Sequence, residues 1–208
     1  MAYFPALQDP ATLPSPAYGV LVIRDWLAAN QVRARRAFGL TGGAEPWMQV
    51  ELALLFDNMV QPAALPVHAG GFWTVSRERT DILHKDEFYK QRKIDVYMTS
   101  PALVAGRDIG IELKYHRPGQ TPDQFGEELK KDMERIADGS LAGNINLYAV
   151  GITYDPVHTN VNKSYQAENE VARQFPPTAG AANRVYYTQV ADGNGGHFNI
   201  IWVCLYDH

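Results

Sequence analysis

The chain has one cysteine, Cys204, so an internal disulfide is excluded. Cys204 sits in the apolar run Ile200–Leu205, where a buried, inert thiol is expected. No apolar run approaches the roughly 20 residues of a membrane-spanning helix. Met1–Pro16 lacks a basic flank followed by an apolar stretch, so no secretory signal is read there and the cytoplasm is the expected compartment. The six histidines are scattered and form no metal motif. Also missing are a glycine-rich phosphate loop and a serine elbow, and Gly193–Gly196 reads as turn chemistry.

Surplus positive charge is lacking too. The formal net charge is −4, which argues against a broad non-specific footprint on nucleic acid. The basic residues are nonetheless clustered. Arg33, Arg35 and Arg36 lie together, and Arg77, Arg79, Lys85, Lys90, Arg92 and Lys93 precede Asp95. Such groups neutralise phosphates. They also suit a solvated mixed-charge face, given the interspersed Asp81, Asp86 and Glu87.

The 208 residues are 46% hydrophobic and 20% charged, a globular composition with material for one core. A single domain is expected, with a core over about 45–155, an arm and helix over 1–40, and a helix and hairpin over 156–208. Helical spacing of apolar residues predicts helices over Arg24–Phe38 and Glu45–Met59. Alternation predicts strands over Phe72–Arg79, Lys93–Thr99 and Asp108–His116. Phe125, Leu129, Met133 and Ile136 form the stripe of a helix over Asp123–Ala137, and Asn144–Thr153 suits a central buried strand. Asn162–Gln174 suits a further helix. Arg184–Val190 and Phe198–Tyr206 flank Asp192-Gly193-Asn194-Gly195-Gly196, a hairpin signal. The pattern is that of a mixed α/β protein, with the hairpin either extending the sheet or standing apart.

Glu112-Leu113-Lys114 carries the chemistry. On a strand, residues two apart share a face, so carboxylate and ammonium come together. Glu128-Leu129-Lys130 has the same spacing on a helix, where such residues diverge. Asp95 sits among Ile94, Val96 and Met98, a costly place for a carboxylate unless it is paired or metal-bound. Adjacent strands would let Asp95, Glu112 and the Leu113 carbonyl converge on one hard cation, for which Mg²⁺ is suited. Glu51, in an apolar helix, is a fourth candidate, reaching the metal or one of its waters. Glu78, between Arg77 and Arg79, is a competing acid.

Glu51, Ile94-Asp95-Val96 and Ile111-Glu112-Leu113-Lys114, in the order αβββαβ, resemble the PD-(D/E)XK nuclease superfamily. The resemblance covers about half the chain, and Ile94 stands where the family name has proline. It implies a restriction-endonuclease-like core: a mixed central sheet flanked by helices, here with an N-terminal helical extension and a C-terminal β-hairpin. It implies a Mg²⁺- or Mn²⁺-dependent nuclease acting on nucleic acid, with DNA the favoured substrate and a homodimer among the assemblies such proteins form. Asp95, Glu112, the Leu113 carbonyl and Glu51 are the expected metal site, with Lys114 as catalytic lysine. Gln124 and Lys131 resemble accessory polar residues of the following helix. The alternative is a binding or regulatory protein that keeps the fold without cleaving.

Overall fold

The computed structural model describes residues 18–40, 44–58, 74–79, 94–99, 108–117, 119–137, 145–156 and 185–206. Among the described residues three helices come first: α1 (Tyr18–Ala29), α2 (Gln31–Phe38) and α3 (Glu45–Asn58). Strands β1 (Thr74–Arg79), β2 (Ile94–Thr99) and β3 (Asp108–Tyr115) follow, then α4 (Pro122–Ala137), β4 (Ile145–Asp155), β5 (Val185–Ala191) and β6 (His197–Tyr206). The protein is a mixed α/β structure.

The helix expected over Arg24–Phe38 is two helices. They meet at Asn30, whose φ of −121° leaves the helical range. Its side-chain amide and its backbone N–H both donate to the Trp26 carbonyl, closing α1. Apolar periodicity runs through this joint because α1 and α2 both feed the same core.

The six strands of the described residues lie in the order β1-β2-β3-β4-β6-β5. Strands β3 and β4 run parallel, with α4 as their crossover, and the other neighbouring pairs are antiparallel. The C-terminal hairpin extends the central sheet, because β6 pairs with β4 from Asn146↔Tyr206 to Asp155↔His197. Its turn is built on Asp192. This buried carboxylate accepts the N–H groups of Asn194 and Gly196 through Oδ1 and the Tyr154 hydroxyl through Oδ2. Gly193 and Gly195 supply the positive φ that the turn needs.

Alternation along β3 assigns its two faces. Ile109, Ile111, Leu113 and Tyr115 join Val20, Ile23, Leu27, Phe38, Met48 and Leu52 of α1–α3 in the main core. Gly110, Glu112 and Lys114 point the other way. On that side α4 packs over β3 and β4, with fully buried Phe125 and Leu129 facing Gly151.

The expected arm over 1–16, the basic residues 85–93 and the helix expected over 162–174 fall outside the described residues. So do the side chains of Arg77, Glu78, Arg79 and Cys204. No helix among the described residues is long and apolar enough to cross a membrane.

Candidate functional site

Strands β2 and β3 pair antiparallel through Val96↔Ile111. Continuing that register sets Asp95 opposite Glu112. Beyond the ladder, the Asp95 carboxylate itself meets the neighbouring strand: the Leu113 N–H donates to its Oδ2 at 2.8 Å. Its Oδ1 accepts the Gln49 side-chain amide from α3, also at 2.8 Å. Among the described residues, each oxygen takes one donor. Because N–H and C=O of one strand residue point to the same side, the Leu113 carbonyl shares the edge that Asp95 faces.

Glu112 is buried and lies in register with Ala149 of β4. Lys114 is the next residue on that face, half-buried between two helices. Its Nζ is 3.0 Å from Asp132 Oδ2 on α4 and 3.7 Å from Glu45 Oε1 on α3. Three of the four expected site side chains, Asp95, Glu112 and Lys114, are thus brought to neighbouring strand positions.

Glu51 is placed elsewhere. It pairs with Arg33 of α2 at 2.5 Å, and the same guanidinium lies 5.8 Å above the Trp47 ring. Among the described residues, the α3 side chains with polar contacts to Asp95 and Lys114 are Gln49 and Glu45, one helical turn apart and so on one face. Glu51 lies off that face.

The accessory residues of α4 also differ from expectation. Gln124 is committed to the helix start. Its Oε1 accepts the Thr121 N–H, and its own N–H donates to Thr121 Oγ1, a reciprocal capping box. Lys131 is exposed. The residue that reaches the site is Asp132, which is buried. A sequence signal for it exists: Asp132 is three residues past Leu129 and seven past Phe125, so it falls on the apolar stripe, where an acid needs a partner. Glu128 and Lys130 diverge, Glu128 pairing with Arg117 and Lys130 with Glu134.

The electrostatics follow from this crowding. The Asp95 carboxyl is pushed up to about 6: burial raises it most, Glu45 and Asp132 add to the rise, and the Leu113 N–H and Lys114 oppose it. Burial alone would lower the Lys114 pKa, but Asp132 and Glu45 outweigh it and raise it above the ordinary lysine value. Lys114 therefore remains an ammonium at neutral pH. It is suited to orienting water or stabilising negative charge and not to accepting a proton. His116, at the strand end, has its pKa lowered by burial, and its Nε2 is 2.9 Å from the Gln120 carbonyl oxygen.

The donors available to a metal are oxygens: the Asp95 and Glu112 carboxylates and the Leu113 carbonyl. This set suits a hard cation that keeps several waters. Among the described residues, no three His, Cys, Asp or Glu side chains form a metal-holding group by themselves. Compared with protein-family models, curated proteins and solved structures, the chain matches none.

Proposed function

We propose that the protein is a divalent-metal-dependent nuclease with the restriction-endonuclease-like αβββαβ topology, hydrolysing phosphodiester bonds, with DNA the favoured substrate. The observation that carries this reading is the placement of Asp95, Glu112 and Lys114 on adjacent strands, with acids from α3 and α4 around the lysine. The order from α3 to β4, with its parallel β3–β4 pair, supports the topology.

Asp95, Glu112 and the Leu113 carbonyl would hold Mg²⁺ or Mn²⁺. A bound ion would supply an acidified water and neutralise phosphate charge. Lys114, as an ammonium, would orient water at the site and stabilise charge developing on the phosphate. Gln49 holds Asp95 Oδ1 and so sets the carboxylate plane. On geometry, the acid that α3 contributes is Glu45, with Glu51 turned towards Arg33.

A second reading rests on the same contacts. Asp95 has a donor on each oxygen and Lys114 has two acids, as in an ion-pair network within a binding or regulatory protein. Incubation with single-stranded, duplex and branched DNA and with RNA, in Mg²⁺ or Mn²⁺, separates the two. The nuclease cleaves at least one substrate only with the metal, and Glu112→Ala abolishes cleavage. Cleavage by Glu112→Ala at the wild-type rate sinks the site assignment. A wild-type protein that cuts nothing and binds no divalent ion favours the binding protein.

A further inference from the structure

We infer that Asp132 is the positioning residue for Lys114, making α4 part of the functional site as well as the crossover between β3 and β4. The inference rests on the nuclease reading for its catalytic consequence and on the ion-pair geometry for the rest.

A lysine ammonium sits on a flexible four-carbon stem and rotates freely among its donors. Strand β3 fixes only the Cα of Lys114. Its head group needs contacts from outside the strand, and two helices provide them. The Asp132 contact is the closer, at 3.0 Å against 3.7 Å for Glu45. Lys114 is also the less exposed of the two lysines with described ion pairs, at 19% against 37% for Lys130.

The placement of Asp132 is costly unless it does something. It lies on the buried stripe of α4 with Phe125 and Leu129, where an apolar residue would pack without desolvating a charge. Its helix is anchored in the two turns that precede Asp132. The Thr121–Gln124 capping box fixes the start of α4, and Phe125 and Leu129 seat it over Gly151, the register partner of Lys114. Among the described residues, the charged groups near Lys114 include Asp132 and Glu128 from α4, Glu45 from α3, Asp95 from β2 and Glu112 on its own strand face. Of these, Asp132 makes the closest described ion pair with the ammonium, at 3.0 Å, and sits on a buried helix face.

The experiment compares the full-length wild type with Asp132→Asn and Asp132→Glu. Asparagine keeps the shape and removes the charge, and glutamate keeps the charge. Lysines are reductively methylated with ¹³C-formaldehyde, and the Lys114 signal is assigned by its loss in Lys114→Arg. In the wild type, the Lys114 methyl resonance stands apart from the cluster of exposed lysines. It collapses towards that cluster in Asp132→Asn and stays apart in Asp132→Glu. On a substrate that the wild type cleaves, Asp132→Asn lowers kcat about 10–100-fold with KM within about twofold, and Asp132→Glu restores much of it. Melting temperatures confirm that the variants fold. An unmoved Lys114 resonance in folded Asp132→Asn overturns the inference, and so does a loss of kcat that glutamate fails to rescue. If the wild type cleaves nothing while the resonance behaves as expected, the positioning contact stands and the nuclease reading fails.

Discussion

Lys114 of β3 stands in register beside Gly151 of β4, so its neighbour across the parallel pair has no side chain. A Cβ at Gly151 would lie 2.8 Å from Phe125 Cζ and 3.0 Å from Leu129 Cδ2. The bare backbone there lets α4 settle close enough for Asp132 to meet Lys114.

Gly151→Ala is therefore expected to lift α4 from the sheet. Overpacking of this kind costs about 1–3 kcal/mol, measurable as a lower urea midpoint. Cleavage should fall by more than the folded fraction does, because Asp132 moves with the helix. Unchanged stability and activity would mean that Phe125 and Leu129 yield without shifting the backbone.

Asp95 makes stability depend on pH. Its carboxyl titrates at about 6 in the folded protein, against an ordinary value of 3.8. Between these values the folded protein holds a proton that the unfolded chain has released. The stabilisation is full below the lower value and is lost as pH rises through the higher one. At about 1.4 kcal/mol per unit, this is on the order of 3 kcal/mol. Urea unfolding of the wild type and Asp95→Asn from pH 4 to pH 7 should show the wild type losing ground by about that order. Mg²⁺ should move the transition to lower pH. A constant difference across the range contradicts the raised value.

Much of this arrangement was legible in the alternation around Asp95 and Glu112. Strands β2 and β3 were expected over Lys93–Thr99 and Asp108–His116 and lie at Ile94–Thr99 and Asp108–Tyr115. Strand periodicity fixes which residues share a face, so the grouping of Glu112 with Lys114 followed from local pattern alone. The helical partners were harder to read. Both Glu45 and Glu51 lie on α3, and which one reaches the sheet depends on how that helix rotates. Trp47 and Arg33 settle the rotation through contacts with α2 that spacing does not reveal. Asp132 is hidden in the sequence because apolar residues alone mark the stripe on which it lies.

The α3 acids offer a direct comparison. Glu45→Gln should reduce cleavage more than Glu51→Gln, since Glu45 faces Lys114 and Glu51 faces Arg33. Steady-state kinetics on one substrate decide it. A larger loss from Glu51→Gln would return that residue to the site.

Asp192 should matter for folding and not for cleavage. It is buried, accepts two backbone N–H groups and the Tyr154 hydroxyl, and has Arg35 at 3.9 Å. Burial raises its pKa, but these bonds outweigh it and hold the carboxyl below its ordinary value. Its stabilisation is present above that ordinary value and is lost as pH falls through the depressed one. Asp192→Ala should cost on the order of 2 kcal/mol near neutral pH, and the deficit should shrink in acid. A cost independent of pH would assign the effect to turn packing alone.

The bond from Leu113 to Asp95 also gives the protein a built-in gauge. A backbone amide that donates to a carboxylate feels that carboxylate's charge directly, so its nitrogen and proton frequencies follow whatever Asp95 carries. Proton uptake and cation capture would each leave a distinct trace at this one position. The occupancy of the Asp95 carboxylate can then be followed in the middle of the sheet, with no substrate present and no turnover required.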